Sequence, residues 1–168
     1  MRTALLTALL CSSCVIVPAF VDEPRQVAAV NVVLDDWHAA ASEADEARYL
    51  GHFAPEARFL GTDASERWPI EEFRAYVREH FPSGGWTYHP HDRVVVLSRD
   101  GRMAWFDEEL TNAGYGELRG TGVLRRQGNV WRITHYSMTF TIPNGVAREV
   151  VNLVRGADAA ESGDAGDR

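Results

Sequence analysis

Phe59-Leu-Gly-Thr-Asp-Ala-Ser-Glu-Arg-Trp68 ends a short apolar run in a carboxylate-rich turn and an indole, and Pro69 follows at once. A strand that hands over to a helix through such a turn places Asp63, Glu66 and Trp68 at the rim of whatever the elements enclose. Pro69 suits the first turn of that helix, Glu71 and Glu72 suit its N-terminal dipole, and Ile70, Phe73, Val77 and Phe81 form its apolar stripe. Pro82-Ser-Gly-Gly85 stops it. Upstream, Val27, Val30, Val33, Leu34, Trp37, Ala40 and Ala41 recur three and four apart, which predicts an amphipathic helix over 24–42. A second helix is expected over 45–53, with Ala47, Leu50 and Phe53 on one face and Pro55 as its breaker, then a strand over 57–61.

Beyond Gly85 the pattern changes to strands over 86–97, 103–111, 116–126 and 130–141, separated by turn residues such as Ser98-Arg-Asp-Gly101 and Gln127-Gly-Asn129. Helices first and a run of antiparallel strands afterwards predict an α+β fold, with the helices on one face of a strongly curved sheet. There is no internal repeat.

The 168 residues, 45% of them hydrophobic, suffice for one domain with its own core. A net charge of −7 excludes the basic footprint that nucleic acid requires, and gives little attraction to anionic lipid. All 17 basic residues are Arg, so chemistry through a lysine Schiff base is excluded. Arg2 followed by an uncharged segment to Val21 reads as an export signal over 1–21, with a membrane anchor as the alternative and lipidation at Cys14 as another. Cys11 and Cys14 both lie in that segment, so a processed chain has neither disulfide nor thiol nucleophile and no membrane span. The domain is expected over 22–155, and the tail over 156–168, without large apolar residues, is expected to be disordered.

The order of elements, with Trp105-Phe-Asp-Glu108, Gly120-Thr-Gly-Val-Leu-Arg-Arg126 and Val130-Trp-Arg-Ile133, resembles the SnoaL-like branch of the nuclear transport factor 2 superfamily across about 27–142. The Gly61–Glu66 turn with Trp68 is the most specific piece. The resemblance implies a cone, in which a curved sheet wraps helices and leaves an apolar cavity at its open end. It also implies a range of functions, from isomerases, dehydratases and cyclases to binding and dimerisation modules, so the fold does not choose among them.

Strand alternation nominates the cavity residues. Trp105, Asp107 and Glu109 share one face of their strand, while Trp131, Ile133, His135 and Ser137 share one face of the last. Each set joins apolar surface to a titratable group, and these faces are taken as concave. Asp107, desolvated by Trp105, would then remove a proton beside a carbonyl, with His135 or Tyr136 donating to the oxyanion. The bland alternative pairs Asp107 with Arg119 or Arg125. Asp63, Trp68, Trp86, Tyr88, Trp105 and Tyr136 are the ligand-contact candidates, although Asp63 also suits a structural Asx turn and Glu66 a surface ion pair.

His89-Pro-His91-Asp92 offers metal-ligand chemistry, but neighbouring strand positions diverge, and no metal or cofactor is expected. Glycines 114, 116, 120 and 122 are spaced along a strand and lack a following Lys, so they fit close backbone approach rather than a phosphate loop. Two readings stand. One is an exported module that binds a small apolar molecule or forms a homodimer through its open sheet. The other is a small isomerase, cyclase or dehydratase that transfers a proton on a carbonyl substrate.

Overall fold

A computed structural model describes residues 21–164, with side chains to 157; residues 1–20 of the segment read as an export signal, Cys11 and Cys14 among them, lie outside the described residues. Helix α1 spans Glu23–Ser42 and α2 spans Glu46–Gly51. Asp22 and Asp45 cap them by accepting hydrogen bonds from the Arg25 and Arg48 amides at 3.3 and 3.1 Å, each cap contributing about 1 kcal/mol. Strands β1 (Phe53–Leu60) and β2 (Arg67–Pro69) lead into α3 (Ile70–His80). Strands β3 (His89–Leu97), β4 (Met103–Asn112), β5 (Gly116–Gln127) and β6 (Val130–Phe140) form the meander, and α4 spans Ala147–Asp164. No helix among the described residues is long and apolar enough to cross a membrane.

The fold is α+β, as the pattern predicts. One open sheet has the order β2-β1-β6-β5-β4-β3, antiparallel except where β1 runs parallel to β6. The apolar stripes of the helices fill its hollow: Val30, Leu34, Trp37, Ala40 and Ala41 from α1, and Ile70, Phe73 and Val77 from α3, are all buried. The Phe59 and Phe73 rings stack at 4.0 Å, and Trp37 meets Tyr136 edge-on at 4.6 Å. Truncating one of these buried aromatics costs about 3–5 kcal/mol.

Four expectations need correction. The second helix stops at Gly51, and Phe53 and Pro55 belong to β1. Pro55 is tolerated because the β1–β6 register breaks between Phe53 and Arg58, where no ladder hydrogen bond is required of it. The rim is a hairpin: Phe59 pairs directly with Trp68, so the two ends of the turn-bearing stretch face each other across β1 and β2. The acidic tail is helical as far as Asp164, consistent with its alanines, the strongest helix formers.

The fourth correction concerns which sheet face is concave. On β4 it is Ala104, Phe106, Glu108 and Leu110 that are buried, while Trp105 is 47% exposed and Asp107 lies beside it on the convex side. Strict alternation runs through the strand, but its polar buried member is Glu108, which finds partners inside. On β6 the alternation itself breaks. Val123 pairs with His135 but Leu124 pairs with Ile133, leaving Thr134 as the extra residue of a bulge. Trp131 and Ile133 face inward before the bulge and Tyr136 and Met138 after it, so His135 turns outward.

Candidate functional site

The open end of the cone holds a cavity of about 130 Å³ walled by Trp37, His38, Ala41, Tyr49, Phe59, Phe73, Tyr76, Trp86, Tyr88, Tyr136 and Met138. Its mouth is formed by Gly61, Thr62, Glu66, Trp68 and Tyr115. The tryptophans do not fill it: Trp68 and Trp86 line it and Trp105 is outside. A broader depression at the opposite hairpin ends, bounded by Asp100, Arg102, Met103, Arg125, Arg126 and Gly128, has no buried titratable group in its wall.

Two buried polar residues meet at the cavity. The His38 Nε2–H donates to Glu108 Oε1 at 2.8 Å, with His38 7% exposed and Glu108 fully buried. Arg93 Nε donates to Glu108 Oε2 at 2.8 Å, and its Nη1 reaches Asp35 at 2.7 Å and Asn31 at 3.2 Å on α1. The Tyr136 hydroxyl lies 3.5 Å from Glu108 Oε1. Burial pushes the Glu108 carboxyl up, but the His38 hydrogen bond and the charges of His38 and Arg93 outweigh it and hold the group below its ordinary value. Burial, reinforced by the Glu108 charge, holds the Tyr136 phenol well above its usual value, so it remains a hydrogen-bond donor.

This places an ionised carboxylate behind a cavity-lining imidazole. In the neutral imidazole, Nε2–H is committed to Glu108 and Nδ1 carries the lone pair that can accept a proton, while in the imidazolium both nitrogens donate. The surrounding backbone is shaped for the cluster. A Cβ at Gly120 would lie 2.5 Å from the Tyr136 hydroxyl and 2.9 Å from Glu108 Oε1. Close approach, expected of these strand glycines, is therefore what lets Tyr136 and Glu108 lie against β5.

Of the residues nominated from sequence, Trp68, Trp86, Tyr88 and Tyr136 line the cavity. Asp107, His135 and Trp105 lie on the convex face, where Asp107 faces Thr121 on β5 rather than Arg119 or Arg125. Asp63 makes an Asx turn, accepting from the Ser65 hydroxyl at 2.5 Å and the Ser65 amide at 2.8 Å, and these bonds hold its carboxyl below the usual value. Glu66 forms no pair with Arg67; it accepts from the Asp63 amide at 3.1 Å and faces the mouth. The expected divergence of His91 and Asp92 fails, because Asp92 adopts φ 47° where the β3–β4 register shifts. His91, Asp92 and Glu109 consequently cluster, exposed, on the outer face with ligand atoms within 4.8 Å of one another.

His38 and Glu108 were missing from the sequence-derived set, yet both carried a signal. His38 stands four residues after Leu34 and three before Ala41, on the buried stripe of α1, and Glu108 stands two residues from both Phe106 and Leu110. A charged residue in phase with buried neighbours requires a partner, and here each is the other's.

Residues 30–143 match the model of the SnoaL-like domain family. The chain belongs to that family. No curated protein matches the sequence. This SnoaL-like domain is similar in structure to an NTF2-like protein of unknown function from Pseudomonas putida, with 13% identity, 73% of this chain and 91% of that chain covered, and a TM-score of 0.62. It is also similar to a protein provisionally described as a scytalone dehydratase from Novosphingobium aromaticivorans, with 7% identity, coverage of 71% and 87%, and a TM-score of 0.61. A protein provisionally described as a ketosteroid isomerase from Parabacteroides distasonis shows 13% identity, coverage of 68% and 86%, and a TM-score of 0.56. At these identities the likeness shows the shared fold of the SnoaL-like domain.

Proposed function

We propose that this SnoaL-like domain is a small-molecule enzyme that moves a proton on a one-ring carbonyl compound held in the cone. The observation that carries the proposal is the fully buried Glu108 holding His38 at the cavity wall through a 2.8 Å hydrogen bond. His38 Nδ1 takes the proton from the carbon beside the carbonyl, and the electrons of that C–H bond form the enolate. The Tyr136 hydroxyl donates to the enolate oxygen, and the imidazolium returns the proton to carbon, so protons and charge balance. Structural neighbours provisionally described as a dehydratase and an isomerase are compatible with this chemistry.

The test is conversion of cyclohex-3-enone to its conjugated isomer, followed by ultraviolet absorbance. Wild type should accelerate it and His38→Gln should lose on the order of 100-fold of that acceleration. Equal rates in the two proteins would remove the catalytic reading.

A second reading is favoured by Arg93, which neutralises Glu108 and also ties β3 to α1 through Asp35. In that reading the cluster is a structural brace and the cavity binds a small apolar or aromatic molecule without converting it. The same assay separates the two, because a binding module leaves cyclohex-3-enone isomerisation at its uncatalysed rate.

Export and assembly complete the proposal. Export is supported by the uncharged segment from Thr3 to Val21, and recovery of the chain with an intact N-terminus from the cytoplasm alone would refute it. Homodimerisation is supported by Val94, Val96, Met103 and Trp105, exposed on adjacent strands of the convex face. Sedimentation equilibrium that finds only monomer would refute it.

A further inference from the structure

Among the described residues, the mouth of the cavity carries a negative charge and no positive one. Glu66 sits there half-buried, held by the Asp63 amide at 3.1 Å. Gly61 admits it, since a Cβ at that position would collide with the Glu66 carboxylate. Among the described residues, the arginines that form ion pairs take other carboxylates: Arg48 takes Asp36 and Glu43, Arg74 takes Glu71, Arg78 takes Glu46, Arg93 takes Asp35 and Glu108, and Arg125 takes Glu56. Among the described residues no arginine lines the cavity. Trp68 faces the cavity from β2, so its strand neighbour Arg67 points away and is exposed.

The groups around Glu66 are aromatic and neutral. Burial raises the Tyr76 and Tyr88 phenols, Tyr88 to about 12, and the Glu66 charge pushes both further in the same direction. Both rings line the same cavity as Glu66. A half-buried carboxylate without a protein cation, set among aromatic rings, is a site for a ligand cation. The volume of about 130 Å³ limits the remainder of the ligand to roughly one six-membered ring, since an apolar cavity of about 150 Å³ accepts benzene.

We propose that the mouth selects a ligand bearing a protonated amine, which pairs with Glu66 while a single ring enters the aromatic cavity toward His38. The proposal rests on reading the cavity as the ligand site. It excludes carboxylate and phosphate compounds as ligands, because nothing at the mouth neutralises them.

A charge-matched series tests it: benzylamine, benzyl alcohol and benzoate titrated into the protein, with the indole amide signals of Trp68 and Trp86 read by NMR. Benzylamine should bind roughly tenfold more tightly than benzyl alcohol, with benzoate weakest. Glu66→Gln keeps an acceptor for the Asp63 amide, so the turn survives, and it should erase the preference for benzylamine over benzyl alcohol. Benzyl alcohol binding as tightly as benzylamine, or a preference that persists in Glu66→Gln, overturns the charge selection and leaves the cavity reading standing. Failure of all three compounds to shift either indole overturns both.

Discussion

His38 and Glu108 lie 70 residues apart in sequence and share a 2.8 Å hydrogen bond inside the cone, one on the first helix and the other in the middle of β4. The contact fixes how α1 sits against β4 and which nitrogen of the imidazole is left for chemistry. It also leaves Glu108 dependent on its partners, because a fully buried carboxylate is stable only while His38 and Arg93 hold it.

Glu108→Ala is therefore expected to destabilise the domain by about 3 kcal/mol, from the lost His38 hydrogen bond and from an Arg93 left with Asp35 alone. Urea denaturation followed by tryptophan fluorescence reads the change. A loss under about 1 kcal/mol would show the ion pair to be a bystander.

Acid should act in two stages. Burial, with the charges of Arg132 and Arg48, lowers the His52 imidazole against the opposing Asp36 hydrogen bond. A lowered histidine supplies stability above its ordinary value of 6.5, and this is lost as pH falls through the folded value. Glu108 and Asp36 are also lowered, Asp36 chiefly by its Arg48 hydrogen bond, so their contribution is complete above the ordinary carboxylate range and is lost below it. Melting temperature against pH should fall gently below 6.5 and steeply below about 4.5. His52→Gln should flatten the first limb only, and an unchanged first limb would refute the assignment.

Gly120→Ala places a methyl group where the Tyr136 hydroxyl and Glu108 now sit, and a cost of about 1–3 kcal/mol is expected. Tyr136→Phe removes the nearer of the two clashing atoms. Made in the Gly120→Ala background it should recover part of the loss, with a coupling of at least about 0.5 kcal/mol in a double-mutant cycle. Strict additivity would mean that the two residues do not meet as described.

Asp107→Asn and His135→Gln alter groups on the convex face. Each should change stability by less than about 0.5 kcal/mol and leave cyclohex-3-enone isomerisation untouched. Loss of turnover in either, with the fold retained, would return the chemistry to the outer face.

The fold was legible because its signals are local. The α1 stripe from Val30 to Ala41, the α3 stripe from Ile70 to Val77 and the four strands with their turn residues each follow from spacing and turn chemistry alone. The rim could be read as a handover but not as a hairpin, since the pairing of Phe59 with Trp68 is a tertiary fact. The site was less legible for two physical reasons. A single extra residue at Thr134 reverses the sidedness of β6, and one residue is enough to exchange His135 for Tyr136. Glu108 violates the rule that charges face water, and only Arg93 and His38, far away in sequence, make that violation stable. Trp105, the large apolar residue that pointed to the wrong face of β4, is an exposed side chain of the kind that composition never forbids.

The most direct test of the central claim is the long-range nitrogen–proton NMR spectrum of the neutral His38 imidazole, taken on the alkaline side of its titration and recorded without ligand and with cyclohexanone. A proton on Nε2, an unprotonated Nδ1, and a shift of the Nδ1 signal when the ketone enters are the predicted results. A proton on Nδ1, or a ring whose signals ignore the ketone while the Trp86 indole responds, would contradict the assignment of His38 as the base held by Glu108.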